Sequence, residues 1–196
     1  MAGISLATIQ SPFQRLRGLL GSEKPGASPI DMTIGEPRHG FPDFAAAIVA
    51  NRSALFGKYP PIRGIPELRQ AISEWLRRRY ALAPEYADPE QHILPLCGTR
   101  EGLVSALTVA IARKAPDRPA VLMPNPFYQA YYAAALTARA EPVLLPAGAG
   151  TGFLPDLDAL EPALLGRTVA IYLASPANPQ GAVASGSYLE KLIALA

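Results

Sequence analysis

The chain has 196 residues, of which 49% are apolar and 17% charged, with a formal charge of +2 and one cysteine, Cys97. That fills one globular domain with a sizeable core. It lacks the charge of a disordered chain, the basic excess of a nucleic-acid or membrane-surface binder, and the cysteines of a disulfide framework or thiolate metal site.

Two stretches without charge, 119–138 and 168–189, are broken by Pro, Asn, Gln or Gly. Neither reads as a membrane span, and no apolar core of signal-peptide type opens the chain, so a soluble cytoplasmic protein is expected. Ser11-Pro12 is a helix start, with Ser as cap and Pro in the first turn. Phe13, Leu16, Leu19 and Leu20 follow at helical spacing. A Pro/Gly-rich connection leads to a short strand predicted at 30–34. Two glycines and two prolines within 35–42 make a loop, and its His39 is read as solvated. An alanine-rich helix is predicted at 43–55. The stiff segment from Lys58 to Pro66 feeds a helix whose Leu68, Ile72, Trp75 and Leu76 share a face, which puts Trp75 in the core. Arg77-Arg78-Arg79 is the solvated end of that helix.

From there the pattern alternates. Strands are predicted at 92–96, 120–123, 142–145 and 168–174. Helices are predicted at 100–113, 128–137, 157–164 and from Tyr188 onward. Such alternation predicts an α/β fold, a mostly parallel sheet sandwiched by helices in three layers.

Three strand ends carry groups suited to chemistry. At Gly98-Thr99-Arg100 a strand meets a helix. The first helical amides have no partner within the helix, Gly98 lets the backbone approach closely, and Thr99 and Arg100 add a hydroxyl and a forked cation, a set suited to one phosphate. The next turn, Pro124-Asn125-Pro126-Phe127-Tyr128, crowds aromatics at a strand end, where one ring can stack on a flat cofactor while the others pack in the core. After the strand at 168–174 comes Ser175-Pro176-Ala177-Asn178-Pro179-Gln180-Gly181, a sharp break that fixes the Asn178 amide above the sheet. Read alone it is an Asn-Pro turn. A planar heteroaromatic with one phosphate uses all three features, and pyridoxal phosphate is such a molecule.

With these pieces in hand, the chain resembles the first half of a fold-type I, class I/II aminotransferase. The matching stretches are Ile34-Gly35-Glu36-Pro37, the run from Tyr59 to Arg69, Gly98-Thr99-Arg100-Glu101, Pro126-Phe127-Tyr128 and Asn178-Pro179-Gln180-Gly181. Gln180 departs from the threonine common in the family's Asn-Pro-Thr-Gly. The resemblance implies an N-terminal arm and small-domain segment over 1–40 and the first part of the cofactor-binding large domain over 41–196. It implies that Gly98, Thr99 and Arg100 hold the phosphate of pyridoxal phosphate and that Tyr128 stacks on its pyridine. Asn178 is expected to bond the ring 3-oxygen and help place the substrate carboxylate, Gly35 to give that carboxylate an N–H, and Tyr59 to reach the phosphate of the other subunit in a homodimer. Glutamate as amino donor and a 2-oxo acid as acceptor follow. The loop wording around Gly35, Gly98 and Asn125 is most similar to succinyldiaminopimelate aminotransferases of lysine biosynthesis.

The family's Schiff-base lysine, pyridine-nitrogen aspartate and substrate arginine lie beyond the Asn-Pro-x-Gly turn. None of Lys24, Lys58, Lys114 and Lys191 stands in the family's lysine context, so this polypeptide alone is expected not to transaminate. Other readings are a lyase of the same fold, a half that lends cofactor-binding residues to a partner chain, and a nucleotide-binding domain. The last lacks Gly-x-Gly-x-x-Gly after its first strand.

Overall fold

The computed structural model describes residues 12–24, 26–28, 30, 32, 35–113 and 116–196, in two compact units, Met1–Tyr59 and Pro60–Ala196.

In the first unit, helix α1 is Pro12–Leu20 and helix α2 Asp43–Asn51, the latter continuing into a 3₁₀ turn at Ser53–Gly57. The predicted cap Ser11 lies outside the described residues, as do Asp31, Thr33 and Ile34 of the strand predicted at 30–34. Ile30 and Met32 are exposed and not in a strand. No described residue of this unit is buried.

The second unit is built on a three-stranded sheet in the order β2-β1-β3, where β1 is Ala120–Asn125, β2 Glu141–Pro146 and β3 Thr168–Ile171. Both pairings are parallel, so the predicted sheet type is correct. Ala120 to Pro124 are buried, as an apolar central strand requires. Alternate residues Val121 and Met123 face a core made with Leu107 of helix α4 (Thr99–Arg113) and with Tyr131, Ala134 and Ala135 of helix α5 (Gln129–Thr137). The alanines of α5 let its backbone lie close to the sheet. Helix α6 is Pro162–Leu165 and helix α7 Gly186–Leu195, whose cap Ser185 accepts from the Tyr188 N–H. At the amino end of the sheet the Glu141 carboxylate takes Arg167 at 2.9 Å and Arg118 at 3.4 Å, joining the entries of all three strands.

Helix α3, Pro66–Tyr80, corrects one expectation. Trp75 is 52% exposed and meets Tyr80 edge-on, while the buried members of the helix are Arg69 and Ser73. The inward stripe is Arg69, Ile72, Ser73 and Leu76, turned from the all-apolar face because Arg69 satisfies backbone that no apolar residue could. Its guanidinium donates to the carbonyls of Pro89, Gly64 and Arg63 and to the Glu90 carboxylate at 2.5 Å. The Arg77-Arg78-Arg79 end is solvated, as expected.

Three further expectations change. Residues 93–96 lie without a ladder, so the strand predicted at 92–96 is not one. A strand exists only beside a hydrogen-bonding neighbour, and no described residue supplies it. The helix predicted at 157–164 is shorter, because Pro162 opens it and the chain over 157–161 turns instead. The strand predicted at 168–174 ends at Ile171, although the Tyr172 N–H still reaches the Leu122 carbonyl at 2.8 Å. Beside the outer edge of β3, a cavity of about 340 Å³ opens between Val169, Ile171 and the α7 residues Leu192 and Ile193.

Candidate cofactor site

The strand order reverses at β1. The chain leaves β1 for β2 and returns across it to β3. In open α/β sheets ligands sit beyond the carboxyl ends of the strands at such a point. Three segments meet there: the turn into α4, the loop after β1 and the loop after β3.

Gly98 ends the incoming segment, and α4 opens at Thr99 with the Gly102 N–H on the Gly98 carbonyl at 3.2 Å. The amides ahead of Gly102 have no acceptor within the helix and face outward at its positive end. The turn is covered by two side-chain ends: a Cβ on Gly98 would meet the exposed Glu101 carboxylate, and one on Gly102 the tip of Leu96, so either would have to turn aside.

Arg100 is exposed, and its Nε donates to the Tyr128 hydroxyl at 2.8 Å, with the guanidinium carbon 6.0 Å from the ring centre. The hydrogen bond to the hydroxyl oxygen pushes the guanidinium pKa up, and the group is a cation at neutral pH as any arginine is. From Tyr128 an aromatic chain runs inward. Its ring meets Tyr131 edge-to-face at 5.6 Å, and Tyr131 stacks on Tyr172 at 4.6 Å. The Tyr172 hydroxyl then donates to the Leu103 carbonyl of α4 at 2.8 Å, closing the loop back to the helix that carries Arg100. Burial pushes the Tyr131 and Tyr172 hydroxyls up, so both stay protonated at neutral pH. Aromatic pairs of this kind are worth about 0.5–1.5 kcal/mol each beyond their burial, which makes the Tyr128 backing stiff.

The loop after β3 is closed on itself. The Gly181 N–H donates to the Ala177 carbonyl, the Ala177 N–H to the Ala182 carbonyl, and the Ala184 N–H to Ser175 Oγ. Gly181 takes φ +77°, a conformation a side chain would resist. Asn178 is exposed on this loop. The loop is fastened to its neighbour by Gln180, whose Nε2 donates to the Pro126 carbonyl at 2.8 Å. The other end of that amide, Oε1, is buried and finds no donor among the described residues. One such bond is worth about 0.5–1.5 kcal/mol, whereas a buried orphan acceptor costs about 1–3 kcal/mol.

Of the residues singled out in the sequence, Gly98, Thr99, Arg100 and Tyr128 therefore meet at one corner, and the Asn178 loop is tied to the same β1 loop. Gly35 and Tyr59 belong to the other unit. Both are exposed, Tyr59 completely. Of the crowded aromatics only Tyr131 is buried, with Phe127 and Tyr128 half-buried and Phe127 stacked on Tyr132. Tyr172 was not singled out, and Gln180 only as a departure from the family's threonine, with no role for its side chain. A tyrosine closing an otherwise aliphatic strand, and a long amide inside a tight turn, were the available signals.

The family described as "Aminotransferase class I and II" matches residues 27–196. The chain is 30% identical over 184 residues to an LL-diaminopimelate aminotransferase of Desulforudis audaxviator, covering 92% of this chain and 45% of that protein. It is 31% identical to transaminase BacF of Bacillus subtilis, covering 94% of this chain and 44% of that one. Among solved structures, an aminotransferase from Neisseria meningitidis superposes with a TM-score of 0.86 at 31% identity, over 97% of this chain and 48% of its own. The chain thus spans about half the length of the relatives it matches. On the family match, the identities and the shared fold, it belongs to the class I and II aminotransferases.

Proposed function

We propose that these residues grip pyridoxal phosphate, the cofactor of this family, in an enzyme that moves an amino group between an amino acid and a 2-oxo acid. When bound, pyridoxal phosphate supplies the electron sink for the transfer. The donor set of the described corner fits such a molecule: a cation, a hydroxyl and outward amides at a helix N-terminus for the phosphate, and a backed tyrosine ring for the flat face. The observation that carries the proposal is the meeting of Arg100, in the first turn of α4, with Tyr128, in the loop after β1.

Arg100, Thr99 and the Gly98 turn take the phosphate. For this the exposed Glu101 carboxylate swings off the turn, since it repels the anion. Tyr128 lends its ring, and Asn178 donates to the 3-oxygen and helps place the substrate carboxylate. Gly35 and Tyr59 enter through the family resemblance alone, Gly35 toward that carboxylate and Tyr59 toward the phosphate held by the other subunit of a homodimer. The substrate class proposed is an amino acid of the diaminopimelate type, free or succinylated, with glutamate as donor. The loop wording and the name of the Desulforudis relative support it.

Three measurements test this. Titration of the 196-residue polypeptide with pyridoxal phosphate, followed by absorbance, should saturate, and Arg100→Ala should weaken it about tenfold or more. After borohydride treatment, no pyridoxyl label should appear on Lys24, Lys58, Lys114 or Lys191. Unchanged affinity in Arg100→Ala refutes the phosphate assignment. A labelled lysine refutes the expectation that these residues alone do not transaminate. Assay of the full-length protein with diaminopimelate, its succinylated form and simple amino acids, with 2-oxoglutarate as acceptor, decides the substrate class.

A further inference from the structure

We infer that Gln180 is a positioning residue: by tying the loop after β3 to the loop after β1, it sets the distance between Asn178 and Tyr128 across the cofactor site. It sits two residues from Asn178, and its acceptor Pro126 sits two residues before Tyr128. The orientation of the amide is fixed, because the Pro126 carbonyl can only accept, which turns Nε2 toward it and Oε1 away. Oε1 is then buried with no donor among the described residues. For stability alone this is a poor choice of side chain, since one ordinary hydrogen bond is gained at the cost of a stranded acceptor. What the residue does supply is a link between two loops that are each held elsewhere: the β3 loop by its own Ala177–Gly181 and Ala177–Ala182 bonds, and the β1 loop at its two ends, where the Asn125 carbonyl accepts from Ala147 and the Tyr128 carbonyl accepts from Tyr131 in the first turn of α5. The β1–β3 ladder and the Tyr131–Tyr172 stack fix the strands and the inner rings. Past them, among the described residues, Gln180 is the side-chain bond that joins the two loops, and their spacing decides whether an amide on one loop and a ring on the other meet the same flat molecule.

The inference rests on the roles proposed above for Asn178 and Tyr128. Its test uses the full-length protein with pyridoxal phosphate and reads three quantities: the dissociation constant, the pH midpoint of the bound cofactor's absorbance (which reports the hydrogen bond to the ring 3-oxygen), and the melting temperature. The variants are Gln180→Leu, Gln180→Glu, Asn178→Ala and the double variant Gln180→Leu/Asn178→Ala. Gln180→Leu should weaken binding about three- to tenfold, move the absorbance midpoint in the direction that Asn178→Ala moves it, and leave the melting temperature of the apoprotein unchanged. In the double variant the Gln180 change should add nothing to Asn178→Ala, as expected for one group acting through another. Gln180→Glu, which sets a carboxylate against the Pro126 carbonyl, should act in the same direction and more strongly. It also serves should the leucine variant fail to fold. If Asn178→Ala moves the midpoint and neither Gln180 variant does, Gln180 positions nothing and the inference falls, while the proposed function stands. If both single changes act but add fully in the double variant, the inference falls as well. If Asn178→Ala itself leaves both midpoint and affinity unchanged, the proposed role of Asn178 fails first and takes this inference with it.

Discussion

The two ends of the sheet are held together by different physics. At the amino end the strands are joined by charge, with Arg118 and Arg167 flanking the Glu141 carboxylate, all of them at least partly solvated. At the carboxyl end they are joined by aromatic stacking and single hydrogen bonds, from Arg100 through Tyr128, Tyr131 and Tyr172 to Leu103, with Gln180 bridging to the Pro126 carbonyl. Ion pairs in water tolerate imprecise geometry and are worth little each. Stacked rings and a half-buried amide demand fixed distances. The end proposed to hold the cofactor is built from the interactions that define spacing, and the end that need only hold strands in register uses those that do not.

The comparison can be broken at several points. The largest effect is expected at the middle of β1, which serves both ends. Met123→Ala, at a fully buried position, should cost about 2–5 kcal/mol in denaturant unfolding and lower cofactor affinity along with stability. Arg100→Ala should separate the two. Because the side chain is exposed, stability should change by less than about 0.5 kcal/mol, while phosphate affinity falls by about 1.5–3 kcal/mol in a binding titration. Tyr172→Phe keeps the stack on Tyr131 and removes only the bond to Leu103. A loss of about 0.5–1.5 kcal/mol in unfolding is expected, and the near-ultraviolet circular dichroism of the stacked rings should persist.

The smallest effect belongs to the amino end. Glu141→Gln should cost less than about 1 kcal/mol, less still at high salt, and leave cofactor binding untouched. The hydrogen bond from Arg167, with the charges of Arg167 and Arg118, holds the Glu141 carboxyl below its ordinary value. Its folded pKa is thus depressed relative to the unfolded chain. The stabilisation is full above the ordinary carboxylate range and is lost as pH falls through the folded pKa. Acid unfolding curves of wild type and Glu141→Gln should therefore converge at low pH. Divergence there would place the effect elsewhere.

Much of this is legible in the sequence. The run 120–123 could only be a buried strand, because nothing in it asks for water. Gly98 followed by Thr99 and Arg100 had to be a turn into a helix, because the residue preferences of helix starts are local. What failed, failed for a common reason. The segment 92–96 has the composition of a strand, yet strandhood belongs to a pair. Trp75 has the spacing of a core residue, yet the stripe that faces inward on α3 is decided by the carbonyls of Arg63, Gly64 and Pro89, which come from loops on either side of that helix in sequence. In the unit Met1–Tyr59, Phe41, Phe44 and Phe56 are large apolar side chains, yet each is more than two-thirds exposed. A pattern states what a side chain would bury, not whether a surface is there to receive it.

By itself, then, the sequence determined the alternation of strands and helices, the parallel sheet and the identity of the groups at its carboxyl edge, since each depends on short-range preferences or on the period of a pattern. Only the tertiary structure decided that Arg100 meets Tyr128, that Tyr172 closes the ring of contacts on α4, and that Gln180 fastens one loop to the other. Those contacts join residues 28 to 69 positions apart, and over such separations partners are chosen by where the strands have placed them rather than by anything written near them in the chain.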